Sequence, residues 1–124
     1  MSHRILIIED ECALAAAMKE FLLCIGYDVD CAVEREEAEA LLNHYSYSLV
    51  ITDLALSPLG LTGVDILDSL ADQQRKPKVI VYSGHADPTL ESHLGSRGVD
   101  VFLQKPQSLR TLADAAGSLL EPRP

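Results

Sequence analysis

The chain has 124 residues, of which 48% are apolar, and its 19 acidic and 10 basic residues give a formal net charge of −9. This length predicts a single domain that buries a core without disulfides or structural metals. The excess of acidic residues argues against a nucleic-acid partner, since affinity for nucleic acids depends on Lys and Arg neutralising phosphates. No apolar run approaches the ~18 residues of a membrane span, and the three unpatterned cysteines (Cys12, Cys24 and Cys31) predict buried thiols in the cytoplasm and no disulfide framework.

Short apolar runs predict five β-strands, which we place at residues 5–8, 27–32, 49–51, 79–82 and 101–103. Most of these runs are continuous instead of alternating, as is typical of parallel strands buried on both faces. The run at 27–32 is weaker and indicates an edge strand.

Apolar residues recur at helical spacing between and after these strands. The first helix is expected to end at Gly26, and a short fourth helix is expected at about 89–94. The other helices carry these apolar positions: Leu14, Met18, Phe21, Leu22 and Ile25; Ala38, Leu41, Leu42 and Tyr45; Val64, Leu67, Leu70 and Ala71; and Leu109, Leu112, Ala116 and Leu119.

Alternating strands and helices predict an α/β fold of the (βα)5 type, with right-handed crossovers and helices on both faces of a parallel sheet. We expect the flavodoxin-like strand order 2-1-3-4-5, taken from known doubly wound folds. This order places the first and third strands side by side. We expect one domain over residues 1–124, without an output domain.

Acidic residues follow the first and third predicted strands. Glu9 and Asp10 come after the first strand, and Asp53 comes after the third. Ligands of open parallel sheets bind outside the carboxyl ends of the strands, so these carboxylates should meet there. Crowded carboxylates need a cation, and oxygen ligands with room for water and a phosphate suit Mg²⁺. Asp53 is therefore a candidate phosphate acceptor.

Four segments of the chain carry a family resemblance. They read ILIIEDE at 5–11, VITDL at 50–54, IVYSG at 80–84 and LQKP at 103–106. In this order and spacing they resemble the receiver domain of two-component response regulators. The resemblance implies a signalling module that catalyses only its own Mg²⁺-dependent phosphorylation and dephosphorylation.

The resemblance also assigns roles around the metal. Asp53 corresponds to the phosphoacceptor, which takes a phosphoryl group from a histidine kinase or a histidine phosphotransfer protein. Asp10 corresponds to a direct Mg²⁺ ligand and Glu9 to a ligand acting through water. The backbone carbonyl of Ala55 is expected to complete the set of Mg²⁺ ligands that the protein supplies.

Three further residues have implied roles in the response to phosphorylation. Lys105 corresponds to the lysine that contacts the acceptor and later the phosphate, and it precedes a proline whose peptide bond is typically cis in this family. Ser83 corresponds to the hydroxyl that swings to the phosphate. Phe102 corresponds to the aromatic residue that then moves inward. We expect a stand-alone receiver that signals by binding an unknown downstream protein.

The segment after the acceptor departs from the frequent family pattern. Residues 56–63 read LSPLGLTG, which is about two residues longer than that pattern. The extra residues are expected to bulge at the surface beside the site, with Gly63 opening the third helix.

Five of the assigned residues also have a simpler interpretation. Glu9 and Asp10 could cap the first helix, Lys105 could be a solvated surface residue, Ser83 an ordinary turn residue and Phe102 a core residue.

The sequence argues against three other functions. A Mg²⁺-dependent phosphatase of the haloacid dehalogenase type would need an acidic residue two positions after Asp53, where the chain has Ala55. A flavodoxin-like cofactor binder is disfavoured because Glu9, Asp10 and Glu11 would repel a cofactor phosphate. A degenerate receiver used as a binding scaffold is disfavoured because no catalytic position is missing.

Overall fold

The computed structural model describes residues 3–53, 55–56, 61–62, 70, 76–84 and 98–121. Strands in these residues are β1 Arg4–Ile8, β2 Asp28–Ala32, β3 Leu49–Thr52, β4 Ala55–Leu56, β5 Leu61–Thr62, β6 Lys78–Ser83 and β7 Val101–Gln104. Helices are α1 Cys12–Ile25, α2 Arg35–His44 and the C-terminal helix Leu109–Leu120.

Five of the strands form a parallel sheet in the order β2-β1-β3-β6-β7. In terms of the five predicted strands this is the order 2-1-3-4-5, so the predicted fold class is confirmed. The two central strands β1 and β3 are neighbours, and Ile8 pairs with Thr52 at their carboxyl ends.

The sheet is covered on both faces, which explains the continuous apolar runs. Ile5 and Ile7 of β1 pack towards α1 and the C-terminal helix, whereas Leu6 and Ile8 pack towards α2. All four side chains are fully buried. Successive side chains of a strand point to opposite faces, so a strand between two cores must be apolar at every position.

Local chemistry explains the predicted end of α1 and the observed start of the C-terminal helix. Gly26 ends α1 in the left-handed region at φ 118°, a conformation that costs glycine little. Its N–H donates to the Leu23 carbonyl at 3.0 Å. The C-terminal helix begins after Ser108, whose side-chain oxygen accepts the N–H of Thr111 at 3.1 Å.

The segment after Asp53 contains an element that the sequence did not predict. Strands β4 and β5 form a short antiparallel pair, with Ala55 opposite Thr62. The connecting residues 57–60 and Gly63 lie outside the described residues, as do the fourth predicted helix and most of the third. Leu70, the described residue of the third, is helical and buried.

The prediction of buried thiols is wrong for two of the three cysteines. Cys12 and Cys24 are exposed and Cys31 is half-buried, and all three are free thiols. Cys12 is the first residue of α1, and the buried positions of this helix are taken by Ala15, Met18 and Leu22.

None of the helices in the described ranges combines the length and the apolar character needed to cross a membrane.

Candidate functional site

The three acidic residues are brought together by the ends of adjacent strands. Asp53 directly follows β3, and its N–H donates to the Ile8 carbonyl at 3.1 Å. Glu9 directly follows β1, and its N–H donates to the Ala32 carbonyl at 2.9 Å. These two backbone bonds extend the hydrogen-bonding pattern of the sheet one residue beyond β1 and β3. They fix the backbone positions from which both carboxylate side chains project.

Glu9, Asp10 and Asp53 form a compact carboxylate cluster. Each offers an oxygen, and these oxygens lie within 4.8 Å of one another. Glu9 is only 3% exposed and Asp53 8%. Like charges at this spacing, largely removed from water, repel one another unless a cation intervenes. Several hard oxygen donors at one sheet edge fit the coordination chemistry of Mg²⁺.

Lys105 supplies a positive charge to the cluster. It directly follows β7, and its N–H donates to the Ser83 carbonyl at 2.8 Å. Its Nζ donates to Glu9 Oε1 at 2.5 Å and to Asp53 Oδ2 at 2.8 Å. The interpretation of Lys105 as a solvated surface residue is therefore wrong. The following Lys105–Pro106 peptide bond is cis.

Burial and hydrogen bonding have opposite effects on the pKa of Glu9 and on that of Lys105. Burial raises the pKa of Glu9, and the hydrogen bonds from Lys105 and from the Glu11 N–H partly offset that rise. Burial lowers the pKa of Lys105, but its hydrogen bonds to Asp53 and Glu9 outweigh this effect, so its pKa is raised. Lys105 is therefore held as an ammonium ion.

Helix capping does not describe the acidic pair adequately. The N-cap of α1 is Glu11, which makes no side-chain capping bond. Glu9 Oε2 does accept the Glu11 N–H at 3.2 Å, but Oε1 of the same carboxylate contacts Lys105. Glu9 thus links the start of α1 to the charged site.

The remaining predicted residues lie in strands β4, β6 and β7. Ser83 is fully buried at the end of β6, in register with Gln104. Phe102 is partly buried and packs against the core on the α2 side. Ala55 opens β4, two positions after Asp53.

Sequence reasoning missed two contacts of the site. It paired Lys105 with Asp53 but not with Glu9, and it treated Tyr82 as a strand residue alone. Tyr82 lies beneath Lys105, with Nζ 5.4 Å from the ring centroid. A tyrosine at the end of a buried strand was an available signal, because its hydroxyl needs a partner inside the protein.

Comparison with known families agrees with this geometry. Residues 5–117 match the model of the response regulator receiver domain. The chain belongs to the response regulator receiver family. Neither the phosphatase nor the cofactor-binding alternative is favoured by this membership.

Curated relatives of the receiver domain are regulatory proteins. The regulatory protein VanRB of Enterococcus faecalis is 28% identical over 97% of the chain, and the tetrathionate response regulatory protein TtrR of Salmonella typhimurium is 30% identical over 88%. The match covers 53% and 52% of these proteins, so the chain spans about half of their length.

Solved receiver structures share the fold over nearly the whole chain. The signal receiver domain of a putative LuxO repressor protein from Vibrio parahaemolyticus is 26% identical with a TM-score of 0.89, covering 98% of this chain and 92% of that one. The non-phosphorylated HemR receiver domain from Leptospira biflexa is 27% identical with a TM-score of 0.88, covering 99% and 98%.

Proposed function

We propose that this receiver domain accepts a phosphoryl group on Asp53 from a phosphohistidine of a histidine kinase or a phosphotransfer protein. Phosphorylation then changes its affinity for a downstream protein. The observation that carries the proposal is the Lys105 ammonium bound to Asp53 Oδ2 within a cluster of three carboxylates.

The proposed reaction is a simple displacement at phosphorus. A carboxylate oxygen of Asp53 forms the new O–P bond while the P–N bond to the donor histidine breaks, and the electron pair returns to the imidazole nitrogen. Lys105 stays beside the acceptor and compensates negative charge on the transferred group. Attack of water on the resulting acyl phosphate would restore Asp53, which is the proposed self-dephosphorylation.

The carboxylate cluster suits a magnesium ion in this role. We propose that Asp10 and Asp53 bind Mg²⁺ directly, that Glu9 acts through water and that the Ala55 carbonyl completes the protein ligands. When bound, the ion would offset charge on the phosphoryl oxygens.

The partners proposed here are proteins in the cytoplasm. A net charge of −9 opposes contact of this chain with a nucleic-acid backbone. The relatives TtrR and VanRB are named as regulatory proteins, and these names mention no nucleic acid. We therefore propose that this domain contacts its donor and its downstream protein, and no nucleic acid or membrane.

Phosphorylation by acetyl phosphate tests the proposal. The wild-type protein should be labelled in the presence of Mg²⁺ and unlabelled after chelation, and Asp53→Asn should remain unlabelled, as read by intact-protein mass spectrometry. Asp28→Asn is the matched control, because Asp28 is an exposed aspartate at the opposite end of the sheet, and it should be labelled normally. Labelling of Asp53→Asn would contradict the proposal.

A further inference from the structure

We infer that Tyr82 is a positioning residue that holds Lys105 against the acidic site. Its effect on phosphorylation rests on the proposed function of Asp53, whereas its effect on the location of the Lys105 ammonium does not.

The hydroxyl of Tyr82 binds the backbone that follows Lys105. It accepts the Gln107 N–H at 2.9 Å and donates to the Gln107 carbonyl at 3.3 Å. One hydroxyl thus contacts both backbone polar groups of a single residue. Gln107 in turn donates from its side-chain amide to the Gln104 carbonyl at 2.9 Å, which links the two ends of the segment 104–107.

The last two residues of β6 therefore hold the Lys105 segment at two points. The Ser83 carbonyl binds the backbone of Lys105, and the Tyr82 hydroxyl binds the backbone two residues later. The anchor is rigid, because Tyr82 is only 3% exposed and its ring packs in the core beneath α1 and the C-terminal helix. The Gln107 side chain, by contrast, is exposed.

Lys105 benefits from such an anchor because its side chain is long and flexible. A four-carbon stem loses less conformational freedom in reaching Glu9 and Asp53 together when the backbone from which it projects is already fixed. The Tyr82 ring lies 5.4 Å from Nζ and adds a favourable face for the cation. The hydroxyl and the ring thus act on the same residue, one through the backbone and the other through the charge.

A double-mutant cycle of Tyr82→Phe and Lys105→Ala tests this inference. Phenylalanine keeps the ring but loses both hydroxyl bonds. The first measurement is the proton–nitrogen NMR signal of the Lys105 ammonium in the unphosphorylated protein, which should be protected from exchange in the wild type and lost in Tyr82→Phe. The second is the rate of phosphorylation by acetyl phosphate, which should fall roughly three- to tenfold, because the variant loses the 2.9 Å hydrogen bond from the Gln107 N–H and the longer, weaker 3.3 Å bond to its carbonyl. In the Lys105→Ala background the same substitution should change the rate less than about twofold, because the residue it positions is gone.

Tyr47→Phe is the matched control. It also removes a buried tyrosine hydroxyl bond, to Asp30 at 2.7 Å, but at the opposite end of the sheet, and it should keep the ammonium signal and the rate. An unprotected ammonium in the wild type, an unchanged signal or rate in Tyr82→Phe, or an equal loss in the Lys105→Ala background would overturn the inference. If the wild type accepts no phosphate, the proposed function fails, while the ammonium signal still decides whether Tyr82 positions Lys105.

Discussion

At the scale of single residues, the site places one ammonium beside three carboxylates. Glu9 and Asp53 are almost fully buried, and Lys105 contacts both of them. Breaking a buried ion pair by removing one partner leaves the other charge without compensation, which is costly. Lys105 therefore contributes to stability as well as to the proposed chemistry.

Lys105→Ala should stay folded but lose stability in the absence of divalent metal. We expect a loss of about 1–3 kcal/mol in the free energy of unfolding, because two buried carboxylates lose a charged hydrogen bond each. Urea unfolding in a chelating buffer measures this loss.

Mg²⁺ provides the accompanying control. It should stabilise Lys105→Ala more than the wild type, since the ion replaces the missing positive charge and no ammonium competes for the carboxylates. Equal stabilisation of the two proteins by Mg²⁺ would show that the lysine and the metal do not act on the same carboxylates.

At the scale of elements, a second polar cluster ties the strands together at the end opposite the site. Asp30 of β2 accepts from Arg4 of β1 at 3.0 Å and from the hydroxyl of Tyr47, just before β3, at 2.7 Å. Arg4 also lies 4.3 Å from the ring centroid of Tyr45. Burial and the hydrogen bond to Asp30 raise the pKa of Tyr47.

The raised pKa of Tyr47 predicts that the free energy of unfolding falls at high pH, and Tyr47→Phe should reduce this fall. The folded state keeps the Tyr47 proton at a pH where the unfolded state releases it. The contribution to stability is therefore full below about pH 10, the usual pKa of tyrosine, and is lost as pH rises through the higher folded pKa. Above about pH 10 one such group lowers the free energy of unfolding by at most about 1.4 kcal/mol per pH unit.

Urea unfolding of the wild type and Tyr47→Phe between about pH 8 and pH 11 measures the difference in slope. Tyr45→Phe removes an exposed phenol and serves as the matched control, which should keep the wild-type curve. Identical slopes for the wild type and Tyr47→Phe would mean that the Asp30 cluster does not hold the proton.

At the scale of the whole molecule, the sheet separates two hydrophobic cores, one on each face. The site lies at the carboxyl ends of the strands between them. Ser83 is fully buried at this edge, and Phe102 packs on the α2 side opposite Val81 of β6. We propose that a change in the position of Ser83 is passed to Phe102 through β7, the strand paired with β6. We propose that phosphorylation shifts a pre-existing pair of states in this way.

Beryllofluoride, standing in for the phosphoryl group on Asp53, should turn Ser83 towards the site and Phe102 inward. Crystal structures with and without beryllofluoride measure both side chains. Ser83→Ala should still accept phosphate on Asp53 but respond weakly in binding its downstream protein. The same Ser83 and Phe102 rotamers in both structures would remove this coupling and leave phosphotransfer as the proposed activity.

Much of the fold could be predicted because its signals are local. The apolar run before Glu9 and the run before Asp53 each identify a strand, and Gly26 marks the end of a helix. Once the strands are parallel and in this order, topology alone brings Glu9, Asp10 and Asp53 to one edge. The family resemblance then added Lys105 to the same site.

Other contacts between distant residues were decided by the tertiary structure alone. Lys105 meets Glu9 across 96 positions of the chain, and Tyr82 binds Gln107 across 25. The exposure of Cys12 and Cys24 likewise depended on which helix face the core occupied. Periodicity reports which residues prefer burial, but hydrogen-bond partners are fixed only when packing sets the distances between elements. The sequence thus determined the sheet and its acidic edge, whereas packing decided how the lysine is held there.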